Sequence, residues 1–397
     1  MADALPIEVT AGRRGLLGMA PARFLRDYWQ RRPLLVRGAL APWREPLTPE
    51  DLAGLACEEL ALARLVCHDR QRDAWTVEHG PFAEDRFPTL PRRDWTLLVQ
   101  DVDKWDADVA ALLDGFAFLP RWRLDDVMVS FAAPGGSVGP HVDQYDVFLI
   151  QGRGRRRWRI DASPDPPRAF RPGQELKLLQ RFRPSHDWVL EPGDMLYLPP
   201  GVPHHGEAVD ACMTFSVGLR APSLAEMLAD LAEHLERDED GPRYADPGLR
   251  PARDPGLVDR AALARVRAQL QRAVALDDDE LATWFGAMIT RYRSSGLASP
   301  PPRRIGLARL HRELEAGACI LPHPFARIAW TRTRRGALLF ADGSASPAEV
   351  ATAQRLCSGV PLDRAGFLAL DPAGQERVLE WLHAGKLVLR RPRRERA

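Results

Sequence analysis

The sequence predicts a mixed α/β protein of several domains, built around a jelly-roll or barrel core of short strands. Three observations lead there. At 397 residues the chain is longer than an ordinary single domain. Between Trp122 and Arg220, short alternating segments are interrupted again and again by Gly and Pro, the mark of a sandwich, jelly roll or barrel. After Ala221-Pro222 the apolar period becomes helical. With 45% hydrophobic and 27% charged residues, a soluble chain with a sizeable core is expected.

Composition also excludes several classes. No apolar run is long enough for a membrane-spanning helix, and the N-terminus lacks the basic, apolar, small-residue order of a secretory signal. Cys57, Cys67, Cys212, Cys319 and Cys357 are scattered, odd in number and free of any Cys-x-x-Cys. Neither a disulfide framework nor a cysteine zinc site is indicated, and a reducing cytoplasm is the expected compartment. The net charge of +1 hides an asymmetry: 17 Lys and Arg stand against 9 Asp and Glu from Pro301 onward, and 38 against 45 before it. Arg390, Arg391, Arg393, Arg394 and Arg396 concentrate the excess at the C-terminus. Such a tail is usually a solvated, frayed end; its functional reading is attraction to RNA or a ribosomal surface.

In chain order, Pro21, Phe24, Leu25, Tyr28 and Trp29 predict a helix within 21–40 that ends at Pro33, followed by a strand at Leu34–Arg37. Thr48-Pro-Glu-Asp51 has capping-box form and starts a helix to about Leu60. Strands follow at Ala61–Cys67 and Trp75–His79, then apolar-periodic segments at Asp94–Trp105 and Ala107–Leu119, the second helical. Asp126–Phe131, His141–Gln151, Arg155–Ile160, Trp188–Leu190, Asp194–Leu198, His205–Val209 and Met213–Leu219 are the core strands. Beyond them, Leu224, Met227, Leu228, Leu231 and Leu235 stripe one helix, and Val258–Val274 and Asp278–Tyr292 give two more. Past the Pro-rich link Ala298–Pro302, helices (Leu307–Ala316, Pro347–Cys357, Gln375–Ala384) mix with strands (Arg327–Thr333, Ala337–Ala341, Leu387–Leu389). That mix suits a winged-helix-like module.

Chemistry concentrates around His141 and Asp143. In a strand, residues i and i+2 project from one face, so this pair can grip one ion. A lone His-x-Asp means little by itself. Here it follows a Gly-rich approach, adjoins an apolar strand, and is joined downstream by Pro199-Pro-Gly-Val-Pro-His-His-Gly206. Alternation lets only one of His204 and His205 point inward. Two imidazoles and one carboxylate leave metal positions open, the ligand set of non-haem Fe(II) oxygenases.

Strand parity sorts the remaining candidates. Arg156 shares a face with Trp158 and Ile160, so it should line the interior, while Arg155, Arg157 and Arg159 form a basic, solvated face. An interior arginine needs an anion, either a structural carboxylate or the carboxylate of a bound molecule. Asp126, Met128 and Ser130 share a face, as do Thr214 and Ser216, and Tyr145 continues the face of His141 and Asp143. Ordinary barrel lining accounts for these as readily as ligand contact does. Asp161, Asp165, Asp187 and Asp194 read as turn residues.

Gly139-Pro-His-Val-Asp-Gln-Tyr-Asp-Val-Phe148, Gln151-Gly-Arg-Gly-Arg-Arg-Arg-Trp-Arg159, Glu191-Pro-Gly-Asp-Met-Leu-Tyr-Leu-Pro-Pro-Gly-Val-Pro-His204 and Ser216-Val-Gly-Leu-Arg-Ala-Pro222 together resemble the JmjC family of Fe(II)/2-oxoglutarate oxygenases. More closely, they resemble its bacterial ribosomal oxygenases, arginine hydroxylases of large-subunit ribosomal protein sixteen. The resemblance implies a double-stranded β-helix (cupin) core at 101–221, an N-terminal lid of mixed structure at 1–100, a helical dimerisation region at 222–297 and a winged-helix-like domain at 303–397. It implies metal ligation by His141, Asp143 and His204, with His205 exposed or behind the ligands. It further implies 2-oxoglutarate held by Arg156 and Ser130, and a substrate arginine met by Asp126, Tyr145 and Ser216. His205 departs from the residue expected at that place in relatives.

The expected function is therefore a cytoplasmic, homodimeric, Fe(II)-, 2-oxoglutarate- and O2-dependent protein hydroxylase acting on the β-carbon of an arginine. The alternatives are an oxygenase with another protein, tRNA or small-molecule substrate, and a non-catalytic cupin-like binding module. Zinc hydrolysis lacks an adjacent general base.

Overall fold

Residues 5–12, 15–236, 243–251, 254–292 and 297–391 are described by the computed structural model. The Pro- and Gly-rich sequence Gly241–Gly256, which links the Leu224–Leu235 stripe to the helix expected at Val258–Val274, lies partly outside them, as do Arg393, Arg394 and Arg396 of the basic tail. The chain divides into two units, Met1–Ala221 and Pro222–Ala397.

In the first unit the strands are β1 (Glu8–Thr10), β2 (Leu34–Arg37), β3 (Ala63–Asp69), β4 (Ala74–His79), β5 (Trp95–Val99), β6 (Leu124–Ala132), β7 (Val147–Arg153), β8 (Arg156–Ile160), β9 (His186–Leu190), β10 (Met195–Leu198), β11 (His204–Ala208) and β12 (Cys212–Leu219). They form a nine-stranded sheet, β1-β2-β10-β7-β12-β6-β5-β3-β4, and a three-stranded sheet, β11-β8-β9. The two lie face to face, with Leu35, Val147, Leu149, Trp158, Ile160, Leu190, Leu196 and Leu198 forming one buried cluster from both. On the opposite face of the large sheet, Val127, Val129, Phe148, Ile150, Tyr197, Phe215 and Val217 pack with Phe24 and Tyr28 of the N-terminal region. Alternation thus gives every central strand two buried faces, one facing the site and one facing the core.

The first hundred residues were expected as a lid. They instead supply β1–β5 to the flanks of the core sheet. The helix begun at Pro21 is α1 (Pro21–Asp27), shorter than the 21–40 window. Beyond it Gln30 takes a positive φ of 55° and gives its backbone N–H to Tyr197 Oη at 2.8 Å. The capping box at Thr48 forms as expected and starts α2 (Pro49–Ala56). Asp94–Trp105 splits into β5 and α3 (Val102–Trp105) at Asp101, whose φ is 58°. The next segment holds α4 (Ala107–Ala111), followed by a 3-10 turn at Leu112–Phe116.

The largest departure concerns His141–Gln151. Only Val147 onward is strand; His141 makes a single isolated bridge to His204, with both backbone N–H···O contacts at 3.0 Å. The physical reason lies in Asp146. Its fully buried carboxylate accepts Tyr197 Oη at 2.6 Å, Gln30 Nε2 at 2.9 Å and Arg123 Nη2 at 3.1 Å. That side chain pulls the segment out of the ladder and fixes where β7 begins.

In the second unit come α5 (Leu224–Glu236), α6 (Arg260–Ala273), α7 (Asp278–Thr290), α8 (Leu307–Glu315), β13 (Cys319–Pro322), β14 (Ile328–Thr333), β15 (Gly336–Ala341), β16 (Ser344–Ala348), α9 (Val350–Cys357), α10 (Arg364–Leu368), α11 (Pro372–His383) and β17 (Leu387–Arg390). The sheets are β14-β15-β16 and β13-β17. Leu310, Leu314, Ile320, Leu339, Phe367, Val378 and Trp381 make its core. Helix α7 packs on this sheet: a Cβ at Gly286 would come within 2.3 Å of the Phe340 ring, and Thr290 Oγ1 accepts the Gly343 N–H at 3.1 Å. The helix expected from Pro347 starts at Val350, because Ser344–Ala348 pairs with β15 as an edge strand.

Candidate metal and cosubstrate site

Loop, bridge and strand bring three ligands of two types together, the His141 and His204 imidazoles and the Asp143 carboxylate. Asp143 Oδ2 lies 3.9 Å from His141 Nε2 and 3.6 Å from His204 Nε2, with the imidazole centroids 4.2 Å apart. The donor atoms all fall within 4.8 Å of one another. Each imidazole is held from behind. His141 Nδ1 lies 2.9 Å from Gly139 O, and His204 Nδ1 lies 2.9 Å from Val202 O. A ring nitrogen facing a carbonyl carries a proton, so Nε2 is the atom that each imidazole has left to offer a metal. Burial, then the neighbouring His141, keeps the His204 imidazole below its usual pKa and therefore neutral. Asp143 is steadied by its own carbonyl, which accepts the Gly201 N–H at 2.8 Å. Two imidazoles and a carboxylate fit a divalent first-row metal and leave one side of it open.

His205 sits on the other face of β11, opposite Arg159, with its ring edge against Phe182 at 6.2 Å. Burial and the Arg159 charge push its pKa down to about 3. It is a neutral, partly covered residue behind the ligands. The basic face of β8 is paired as well as solvated: Arg155 with Asp210, Arg157 with Asp187 and Arg159 with Glu207. Asp187, expected in a turn, lies in β9 for that purpose.

Arg156 crosses the interior as parity requires and is only 3% exposed. No carboxylate answers it among the described residues. Nη1 donates to Ser130 Oγ at 3.2 Å and Thr214 Oγ1 at 3.4 Å, and Nη2 to Gly206 O at 3.4 Å. Nε has no partner. Burial holds its pKa below the ordinary arginine value. Gly206 makes the crossing possible, since a Cβ there would stand 2.8 Å from Arg156 Nε and 2.7 Å from the Trp158 ring. A buried cation met only by neutral oxygens is costly unless an anion completes it. The carboxylate of a 2-oxo diacid suits that place.

Register puts Asp126 at the other end of this face. Ser130 pairs with Thr214, Met128 with Ser216, and Asp126 with Gly218. Four residues of strand separate Ser130 from Asp126, roughly 13 Å. Asp126 is 8% exposed and accepts the Asp101 N–H at 3.1 Å. Burial, then the charges of Asp101 and Asp125, pushes its carboxyl up to about 7. Tyr145 is half-exposed; burial of its hydroxyl and the charges of Asp143 and Asp126 raise its pKa. Tyr145 lies close enough to Asp143 and Asp126 to feel both charges, and it reaches them from a loop. Ser216 is buried on the same face as Thr214. Asp101 and Gln151 bond to residues of this face, and no ligand motif marks either; the one signal in the sequence is the parity of Gln151 with Leu149 and Val147.

The Asp126 shift has a signed consequence. Its folded pKa lies above the unfolded carboxylate value, so wild-type stability should fall as pH rises from the unfolded pKa through about 7. In metal-free protein, Asp126→Asn should therefore be more stable than wild type at pH ~8, by at most ~4 kcal/mol. The two should converge near pH ~4 in denaturant melts. A difference that does not vary with pH would contradict the buried-carboxyl account.

Comparisons agree with this geometry. A JmjC domain family model matches residues 111–227, and a ROXA-like winged helix model matches 267–387. An AraC-like ligand binding domain model also matches 179–301. The ribosomal protein uL16 3-hydroxylase of Escherichia coli is 40% identical over 279 residues, which cover 70% of this chain and 73% of that protein. A probable ribosomal oxygenase of Haemophilus influenzae is 41% identical over 216 residues, 54% of this chain and 53% of that one. The X-ray structure of E. coli ycfD superposes with a TM-score of 0.82 at 33% identity, covering 94% of this chain and 99% of that one. Another ycfD structure, in complex with cobalt and 2-oxoglutarate, gives 0.79 at 33% identity over 94% and 99%. A complete imidazole–imidazole–carboxylate set, a buried arginine awaiting an anion and this similarity along the chain converge: the protein belongs to the JmjC ribosomal oxygenase family, the Fe(II)- and 2-oxoglutarate-dependent dioxygenases that carry a C-terminal winged helix.

Proposed function

We propose that this enzyme hydroxylates the β-carbon of an arginine in ribosomal protein uL16, the large-subunit protein sixteen, in the cytoplasm. The observation that carries the reading is the division of one interior face into an anion-seeking end at Arg156 and an anionic end around Asp126, with the His141–Asp143–His204 set nearby. In this reading His141, Asp143 and His204 hold Fe(II). Arg156 and Ser130 hold the far carboxylate of 2-oxoglutarate, a charge-assisted contact with a fixed direction. Iron and cosubstrate supply the oxidation, in which O2 is consumed and 2-oxoglutarate leaves as succinate and CO2. The protein's work is placement and exclusion of water. Asp126 and Ser216 would receive the substrate guanidinium, with the Tyr145 ring beside it, so that the β-carbon rather than the guanidinium faces the metal. Asp126 would give up its proton on meeting that cation.

The test is intact mass of ribosomal proteins from a strain lacking the gene, incubated with the loaded enzyme. A gain of one oxygen on uL16 is expected, mapped to an arginine. It should be lost in Asp143→Ala. It should fall by about 30- to 1000-fold in kcat/KM in Arg156→Ala, from the loss of a buried charge pair. Turnover of 2-oxoglutarate with uL16 unmodified would keep the oxygenase and remove this substrate.

A homodimer is part of the proposal. The expected stripe on α5 is only partly used: Leu231 is buried, while Leu224 and Leu228 are exposed. On α6, Leu263 and Leu270 are 54% and 63% exposed and align with Val266 on one face. An exposed apolar face of this kind marks an interaction surface, and a second copy of this chain is its proposed occupant. Light scattering should give a dimer, and Leu263→Glu with Leu270→Glu a monomer; a monomeric wild type would contradict this part. The proposal also includes nucleic-acid contact by the basic C-terminus. Arg391 is paired with Glu313, and the arginines beyond it lie outside the described residues.

A further inference from the structure

The neutral groups around Arg156 are themselves ordered by a residue that touches no reactant in the proposed reading. Gln151, fully buried at the end of β7, spends every polar group it has. Its backbone N–H donates to Asp194 O at 2.9 Å and its carbonyl accepts the Gly193 N–H at 2.8 Å. Its side-chain Nε2 donates to Arg153 O at 2.8 Å and Gly154 O at 3.2 Å, so two carbonyls fix which end of the amide is nitrogen. The remaining end, Oε1, accepts the Thr214 hydroxyl proton at 3.3 Å.

Two consequences reach Arg156. Thr214 has one hydroxyl proton, and Gln151 takes it, so only lone pairs of Oγ1 face Arg156 Nη1. Ser130, the other hydroxyl on Nη1, has no such competing acceptor among the described residues, which leaves its proton for an incoming carboxylate. The same amide also ties down the turn between β7 and β8. There Gly154 takes a φ of 58°, and a Cβ on it would strike Ala211 O at 2.2 Å. Arg156 is launched two residues beyond that turn.

We propose that Gln151 is a positioning residue for the cosubstrate: by holding the Thr214 hydroxyl and the β7–β8 turn, it aims the Arg156 guanidinium at the 2-oxoglutarate carboxylate. This rests on the reading of Arg156 as the carboxylate receptor. Gln151→Leu keeps the bulk, releases the Thr214 proton and removes the amide donor from the two turn carbonyls. Loss of one neutral hydrogen bond's worth of order corresponds to about tenfold in affinity.

The experiment is calorimetric titration of 2-oxoglutarate into Mn(II)-loaded protein without turnover, with Mn(II) affinity and melting temperature measured alongside. Gln151→Leu should weaken 2-oxoglutarate by about tenfold with Mn(II) affinity unchanged. Thr214→Val should weaken it in the same direction, and Thr214→Ser should restore wild-type binding. Adding Thr214→Val to Gln151→Leu should cost little more, while adding Ser130→Ala should cost its full separate amount. Gln151→Leu binding within about twofold of wild type, or full additivity with Thr214→Val, would overturn the proposal. If Gln151→Leu fails to fold, the Thr214→Val and Thr214→Ser pair decides: equal binding by the two overturns it. Unaltered binding by Arg156→Ala would instead overturn the reading of Arg156 itself.

Discussion

A guanidinium sealed between two sheets, with hydroxyls and a carbonyl but no carboxylate to meet it, governs how this site is built. Removing such a charge from water costs several kcal/mol unless an anion returns it. The fold accepts that cost and arranges its neighbours around it. Gly206 gives up a side chain so that the arginine can pass, Trp158 lies 5.2 Å beneath it, and Ser130 and Thr214 offer oxygen without neutralising it. What is left unsatisfied is the shape and charge of a carboxylate.

The metal end obeys a different constraint. Its ligands come from a loop and a strand edge, so geometry cannot rest on one continuous ladder. It rests on the His141–His204 bridge, on two backbone carbonyls behind the imidazoles, and on the Gly201 N–H to Asp143 O contact. Asp146 then anchors the loop to Tyr197, Gln30 and Arg123, which ties the ligand segment to the N-terminal region through a buried carboxylate. That is why the first hundred residues are inseparable from the site although none of them is a proposed ligand.

Much of this was legible in the sequence, because alternation in a buried strand is a strict rule. Parity assigned Arg156 to the interior and Arg155, Arg157 and Arg159 to the opposite face, and it aligned Asp126 with Ser130. It failed at His141–Asp146, where a tertiary carboxylate network overrides an apolar run that otherwise reads as one long strand. It also failed at Ser344–Ala348, an edge strand with little apolar signal, and at Gln30, whose left-handed turn is dictated by a tyrosine far along the chain. Parity with Val147 and Leu149 marks Gln151 as interior, but its bonds to the turn carbonyls and to Thr214, like the Asp101 N–H bond to Asp126, follow no period.

The most direct test of the central claim is anaerobic: titrate Fe(II)-loaded protein with 2-oxoglutarate and follow visible charge-transfer absorption. The account predicts a band that needs both iron and the oxoacid, absent in His141→Ala and His204→Ala, and needing far higher 2-oxoglutarate in Arg156→Ala. No band in wild-type protein, or one that forms equally well without Arg156, would contradict it.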